Sequence, residues 1–288
     1  MKSLKEGDEL DKQQFEKFID NRSPENASYW KQQYTQANNN EVEAMIKIAL
    51  LYKEQSYYKE MYHLLIRAIE IHDDADALYE LANCYFEELD NRGSVELAFH
   101  FYERAALKKH PDAINNLADM YLNGEGTVVN EEVALMWFTK AAEIGVVEAM
   151  YTLGIMYEQG LGTEENPKQA LQYYCNAAAG GYLDAVYRIG MIHFSGELDQ
   201  PQNEKEAVKW FLKGAEGFHV DAIYNMAYCY ENGYGVKQSL EQAIRYYKQA
   251  SLLGDVQSTE KLVELYEMID ANEATKWRKK ASEQLKQE

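Results

Sequence analysis

Two short patterns in the chain hold residue types that can do chemistry. Gly124-x-Gly126 follows a helical run in "NLADMYLNGEGTVVN", Asn116 to Asn130, and glycine-rich turns beside helices present backbone N–H groups that can cradle phosphate. Ser28-x-x-Lys31 and Ser56-x-x-Lys59 have the spacing of a serine nucleophile beside a lysine base. Neither pattern is complete. The glycine pair lacks the third glycine, the Lys-Ser/Thr pair and the preceding strand of a phosphate loop. The serines lack the Ser-Asp-Asn and Lys-Thr-Gly partners of their pattern, so both read as chance matches. His-Glu-x-x-His, Gly-x-Ser-x-Gly and Cys-x-x-Cys do not occur in the sequence. The histidines, His63, His72, His100, His110, His193 and His219, read as scattered without ligand spacing, and His193 as a packing residue. Cys84, Cys175 and Cys229 are odd in number and widely spaced, as unpaired thiols of a reducing compartment are. The expectation is a non-enzymatic chain with no catalytic residues, no metal and no cofactor.

The elements that carry the glycine pair explain it. Ala113-x-x-x-Leu117-Ala118-x-x-Tyr121-x-x-Gly124-x-Gly126 returns as Ala149-x-x-x-Leu153-Gly154-x-x-Tyr157-x-x-Gly160-x-Gly162 and as Ala222-x-x-x-Met226-Ala227-x-x-Tyr230-x-x-Gly233-x-Gly235. Ala185-x-x-x-Ile189-Gly190-x-x-His193-x-x-Gly196 keeps the frame without the second glycine. A second block follows each, as in Ala134-x-x-Trp137-Phe138-x-Lys140-Ala141-Ala142 and Ala170-x-x-Tyr173-Tyr174-x-Asn176-Ala177-Ala178. The leading small residue steps through Ala77, Ala113, Ala149, Ala185, Ala222 and Ser258, a period of 36 with one step of 37. Self-similarity at this period marks a solenoid of helix pairs. Small and apolar residues at i, i+4, i+5 and i+8 fall on one helical face, and a single pair cannot bury both its faces without a neighbour. In this frame the glycines end the first helix with residues that tolerate positive φ and turn the chain into the second. A structural turn, rather than a nucleotide site, is expected.

The ordered combination of both blocks and the glycine turn resembles the Sel1-like repeat family, relatives of the tetratricopeptide repeats. The resemblance is strongest over Ala113 to Gly254 and weaker on either side. It implies an all-α fold, a right-handed α-solenoid superhelix of about seven helix-turn-helix repeats with capping helices. The expected organisation is a flexible or short helical segment over 1–22, in which Leu10, Phe15, Phe18 and Ile19 allow one amphipathic helix. A capping helix and turn over 23–43 starts at Ser23-Pro24-Glu25 and packs through Trp30 and Tyr34, and a repeat solenoid runs over 44–288 with a polar C-terminal cap. Certain cysteine-rich relatives are linked to penicillin binding, but their paired cysteines are missing here. The resemblance also implies that the first helix of each pair lines a concave face. Repeat-spaced positions on those helices give the candidate partner-binding residues Tyr79, Asn115, Asp119, Tyr151, Glu158, Tyr187, Met191, Phe194, Tyr224, Tyr228 and Glu231. Met191, Phe194 and Tyr228 are large and apolar where a solvated wall favours polar residues, which marks them as the hot spot. The acids before each leading alanine, Asp76, Asp112, Glu148, Asp184 and Asp221, read as helix-start residues that favour the macrodipole.

Composition narrows the partner. The chain has 48 acids against 29 bases, a net charge of −19, which disfavours nucleic acid and anionic membranes. No run approaches the roughly 18 apolar residues of a membrane span. The charged N-terminus, "MKSLKEGDELDKQQFEKF", lacks the apolar region of a secretory signal, so a cytoplasmic location is expected. The expected function is a monomeric scaffold or adaptor that binds a protein or peptide segment with basic residues in its groove. The alternative is an acidic inhibitor or immunity protein that blocks a basic enzyme.

Overall fold

A computed structural model describes residues 12–22, 24–89 and 93–284 of the chain. The candidate helix start at Ser23 and the apolar Leu10 lie outside the described residues. Among these residues the protein is all-α, a solenoid of helix hairpins with no strand. The described residues form sixteen α-helices, which fall into two compact units divided between residues 146 and 147.

The first unit contains α1 (Lys12–Arg22), α2 (Ala27–Asn38) and the hairpins α3 (Val42–Glu54) with α4 (Tyr58–His72), α5 (Ala75–Phe86) with α6 (Val95–Leu107), and α7 (Pro111–Asn123) with α8 (Glu131–Glu143). α1 is amphipathic. Its Phe15 and Ile19 are fully buried, and the Phe15 ring stacks on Tyr34 of α2 at 4.3 Å. Trp30 packs half-buried against the same cluster. The second unit contains α9 (Val147–Gln159) with α10 (Pro167–Ala179), α11 (Leu183–Ser195) with α12 (Glu204–Glu216), α13 (Val220–Asn232) with α14 (Leu240–Leu252), and α15 (Val256–Glu267) with α16 (Ala271–Gln284). Among the described residues of α16 only Ala274 is buried.

Each hairpin is built by the same local chemistry. Ala77, Ala113, Ala149, Ala185, Ala222 and Ser258 are all completely buried. They let the second helix approach closely enough for its aromatic residue to fill the interior, as Tyr102, Phe138, Tyr174, Phe211 and Tyr247 do. Second helices start on a side-chain cap: Ser94, Asn130, Asn166, Asn203 and Ser239 each accept the backbone N–H three residues on, at 3.0 to 3.3 Å. Such caps satisfy donors that the helix itself leaves unpaired, worth about 1 kcal/mol each.

The glycine pairs are turns. Gly124 and Gly233 follow the ends of α7 and α13 with φ of 75° and 81°. In the second of these turns the N–H groups of Gly233 and Tyr234 both bond to the Cys229 carbonyl, and that of Gly235 bonds to Glu204 Oε2 at 3.1 Å. A Cβ on Gly235 would stand 2.3 Å from the Glu204 carbonyl oxygen at the start of α12. The donors that a phosphate would need are spent inside the fold, and the second glycine is the point where one repeat presses on the backbone of the repeat before it.

Candidate partner-docking surface

All eleven candidate residues lie on first helices and are half-buried, so each has a face in contact with the fold and another open to solvent. In the second unit Tyr187, Met191 and Phe194 form one stripe of α11, at i, i+4 and i+7, and Tyr224, Tyr228 and Glu231 repeat it on α13. Met191 and Phe194 pack against one core cluster, Tyr228 reaches the Phe194 ring, and two residues that the repeat frame did not single out join them. Phe194 meets Tyr228 edge-on at 6.5 Å and Tyr234 at 5.7 Å, and the two tyrosines are 5.6 Å apart. Asn225 donates to the Tyr187 hydroxyl at 3.2 Å and lies 3.9 Å from Met191 Sδ. Tyr234 is the middle residue of the Gly233-x-Gly235 turn. Its position in the glycine pattern was the available signal, because the tight turn aims that side chain back over the end of α11.

Glu158 and Glu231 serve the fold as well as the surface. The buried Tyr174 hydroxyl donates to Glu158 at 2.5 Å, and that of Tyr247 donates to Glu231 at 2.6 Å. Burial, and then the adjacent carboxylate, push both phenols well above their ordinary range. The pairing varies between repeats, and Tyr102 departs from it, with Phe86 at the glutamate position and its own hydroxyl donating to Asn83 Oδ1 at 2.6 Å instead. Where the interior aromatic is Phe138 or Phe211, which needs no acceptor, the equivalent of the glutamate is Leu122 or Phe194. Arg188 bonds to Glu158 and also reaches Glu197 at 2.6 Å, so Glu158 is doubly compensated.

Tyr79, Tyr151 and Tyr187 pack against the start of the following first helix. Tyr79 stacks on His110 at 4.3 Å, Tyr187 stacks on His219 at 4.9 Å, and Tyr151 tilts against Tyr182 at 5.1 Å. The expectation that the histidines are scattered is corrected here: His110 and His219 occupy the same repeat position. Each ring accepts the N–H of the leading alanine on Nδ1, Ala113 or Ala222, at 3.3 Å. Each presents Nε2 to the helix-start acid of the previous repeat, Asp76 at 3.4 Å or Asp184 at 2.9 Å. The accepted hydrogen bond places the proton on Nε2. These histidines are helix caps that tie successive repeats together, and the single 37-residue step obscures their shared register.

In the first unit Asn115 donates to Asp119 Oδ2 at 3.0 Å. Burial, and then the charge of Glu125, push the Asp119 carboxyl up to about 6, against the opposing effect of Asn115. Asp119 and Glu125 line a cavity of about 410 Å³ together with Asn83, Phe86, Glu87, Tyr102 and Asn116. The described residues contain no group of three or more His, Cys, Asp or Glu placed to hold a metal ion. Burial pushes the Cys84 and Cys229 thiols up to about 12, far from the range of a reactive thiolate. No described helix is long and apolar enough to cross a membrane.

The sequence profile of the Sel1 repeat matches residues 75–110, 111–146, 147–182, 183–217 and 220–255, more than half of the chain. The chain belongs to the Sel1 repeat family. Repeats of this kind generally mediate protein–protein binding. The hairpins α3 with α4 and α15 with α16 lie outside the Sel1 matches and flank them on either side. A search of curated proteins finds no match. Among solved structures, the chain is similar to a protective antigen of uropathogenic Escherichia coli with an SLR fold, at 25% identity and a TM-score of 0.79 over 88% of this chain. The match spans 56% of the antigen's length. It is also similar to a Sel1 repeat protein from Oxalobacter formigenes, at 24% identity and a TM-score of 0.74 over 83% of this chain and 99% of the other.

Proposed function

We propose that this Sel1 repeat protein is a non-enzymatic scaffold or adaptor that binds a segment of a partner protein along the first helices of its repeats. The observation that carries this reading is the cluster of Met191, Phe194, Tyr228 and Tyr234. It gathers large side chains on one face and leaves them half-open to solvent, although the hairpins bury an interior aromatic completely elsewhere. Partly buried aromatic residues held rigid by their neighbours lose little side-chain entropy on binding, which is why such residues dominate interfaces. Tyr187 and Asn225 give the apolar cluster a polar rim, and Tyr224, Tyr151, Glu158 and Glu231 extend it along the second unit. Tyr79, Asn115 and Asp119 form the corresponding surface of the first unit. The net charge of −19 favours a partner segment with basic residues and association that weakens with salt.

The test is affinity capture from host lysate with the full chain as bait, at low and high salt, beside a Phe194→Ala/Tyr228→Ala variant of unchanged helicity. The expected result is one specific protein that is retained by the parent chain, depleted at high salt and lost from the variant. Equal recovery on both baits would remove this surface from the function.

A further inference from the structure

Two repeats that are 72 positions apart in the sequence hold the same frame with different charges. Tyr102, Asn116 and Glu125 of the first unit correspond to Tyr174, Arg188 and Glu197 of the second, and Phe86 corresponds to Glu158. In the second unit the guanidinium of Arg188 lies between two carboxylates, bonded to Glu158 and 2.6 Å from Glu197, with the Tyr174 hydroxyl on the same Glu158. In the first unit the residue at that position is the short, neutral Asn116. One carboxylate remains, Glu125 in the turn, and with Phe86 in place of Glu158 a second charge comes instead from Asp119, one helical turn along α7.

Neither acid has a cationic partner among the described residues. Asp119 has only the amide of Asn115, and the neighbouring Glu87 is already paired with Lys53 at 2.9 Å. The cavity of about 410 Å³ opens between these groups. Its wall includes Phe86, which is 42% exposed, and the Tyr102 hydroxyl, which donates to Asn83 Oδ1 at 2.6 Å.

We propose that this cavity between α5, α6 and α7 binds an arginine side chain of the partner segment, at the fold position that Arg188 fills within the second unit. The assignment rests on the adaptor reading above and names the chemistry that one part of the surface selects. A guanidinium fits because it is flat and lies on an aromatic face such as Phe86, and because its N–H fork bonds to two carboxylates at once. It also brings a cation to Asp119, whose carboxyl is held near 6 in the free chain by burial and then by the charge of Glu125. The repeat that carries Arg188 needs no external cation, so the sequence difference between the repeats is a difference between a filled and an open subsite.

The probe is N-acetyl-arginine amide, titrated into the full chain at low salt and pH 7.5, with the neutral isostere N-acetyl-citrulline amide as control. The readout is the NMR signals of the Asn83 and Asn116 side-chain amides. The arginine probe is expected to shift them saturably, in the millimolar range typical of so small a ligand, with roughly tenfold weaker binding for citrulline or for the Asp119→Asn variant. Asn116→Arg is expected to fill the cavity from within, as Arg188 does, abolishing the titration while raising the melting temperature. Parallel titration by arginine and citrulline, an unsaturable response, or an arginine response that survives in Asn116→Arg would overturn the assignment. If the probe fails while the Tyr228-dependent capture persists, the arginine subsite falls and the adaptor reading stands.

Discussion

Asp119 offers a test in which stability and function pull in opposite directions. Its carboxyl is displaced from an ordinary 3.8 to about 6, first by burial and then by Glu125. Because the folded value lies above the unfolded one, the folded chain holds an extra proton between those two pH values. The associated stability is fully present below about 3.8 and is lost as pH rises through about 6. At about 1.4 kcal/mol per tenfold change in proton affinity, the ceiling is about 3 kcal/mol. Asp119 is only half-buried, and screening reduces the realistic effect to about 1–2 kcal/mol. Asn retains the shape and an acceptor for the Asn115 amide but cannot ionise. Urea unfolding of the parent chain and of Asp119→Asn, followed by circular dichroism from pH 4 to pH 8, is therefore expected to give nearly equal stabilities at the acid end. The variant should pull ahead by about 1–2 kcal/mol above pH 7. A variant that is less stable at pH 7.5, or a difference that does not change with pH, would refute the view that Asp119 is an uncompensated buried charge.

Three further substitutions test the packing. Ser258 takes the place of the leading alanine, fully buried with its hydroxyl unpartnered, so Ser258→Ala is expected to stabilise the chain by about 1–2 kcal/mol in urea unfolding. Phe218 adopts a φ of 64° and is 67% exposed at a turn position where other repeats have Gly145, Gly181 and Gly254. Phe218→Gly removes about 1 kcal/mol of left-handed strain and should raise the melting temperature. Gly235→Ala combines a φ of 67° with a Cβ 2.3 Å from the Glu204 carbonyl oxygen, and should cost about 2–4 kcal/mol in the same assay.

The fold was legible because stacking imposes one solution on every repeat. Ala113 and its equivalents are small in every repeat, since a large side chain there would drive the helices apart, and the glycines after α7, α9, α11 and α13 report a left-handed turn that few other residues tolerate. The surface was legible as far as helical periodicity reaches. Counting from the frame leucine singled out Met191, Phe194 and Tyr228; Met191 and Phe194 pack against one core cluster, and the Phe194 ring lies 6.5 Å from that of Tyr228. Periodicity says nothing about where a turn residue points, and for that reason Tyr234 and Glu125 were missed. Nor does it reveal which charges are already compensated. Glu158 and Glu231 stood in the sequence only as candidate binding residues, and the structure gives them the Tyr174 and Tyr247 hydroxyls as donors, whereas Asp119 and Glu125 lack a cation among the described residues, with Asn116 where Arg188 stands two repeats on. Comparison between repeats, rather than along a single one, holds that information.

The most direct measurement is photocrosslinking in the native host with a benzophenone amino acid placed at Tyr228, with Val128 as the control position. Val128 is 83% exposed in the turn between α7 and α8 and lies outside the candidate surface. The account predicts a discrete protein adduct from position 228 that disappears when Phe194 is replaced by alanine, and none from position 128. Adducts from position 128 alone would contradict it and would place the partner on the outer turns.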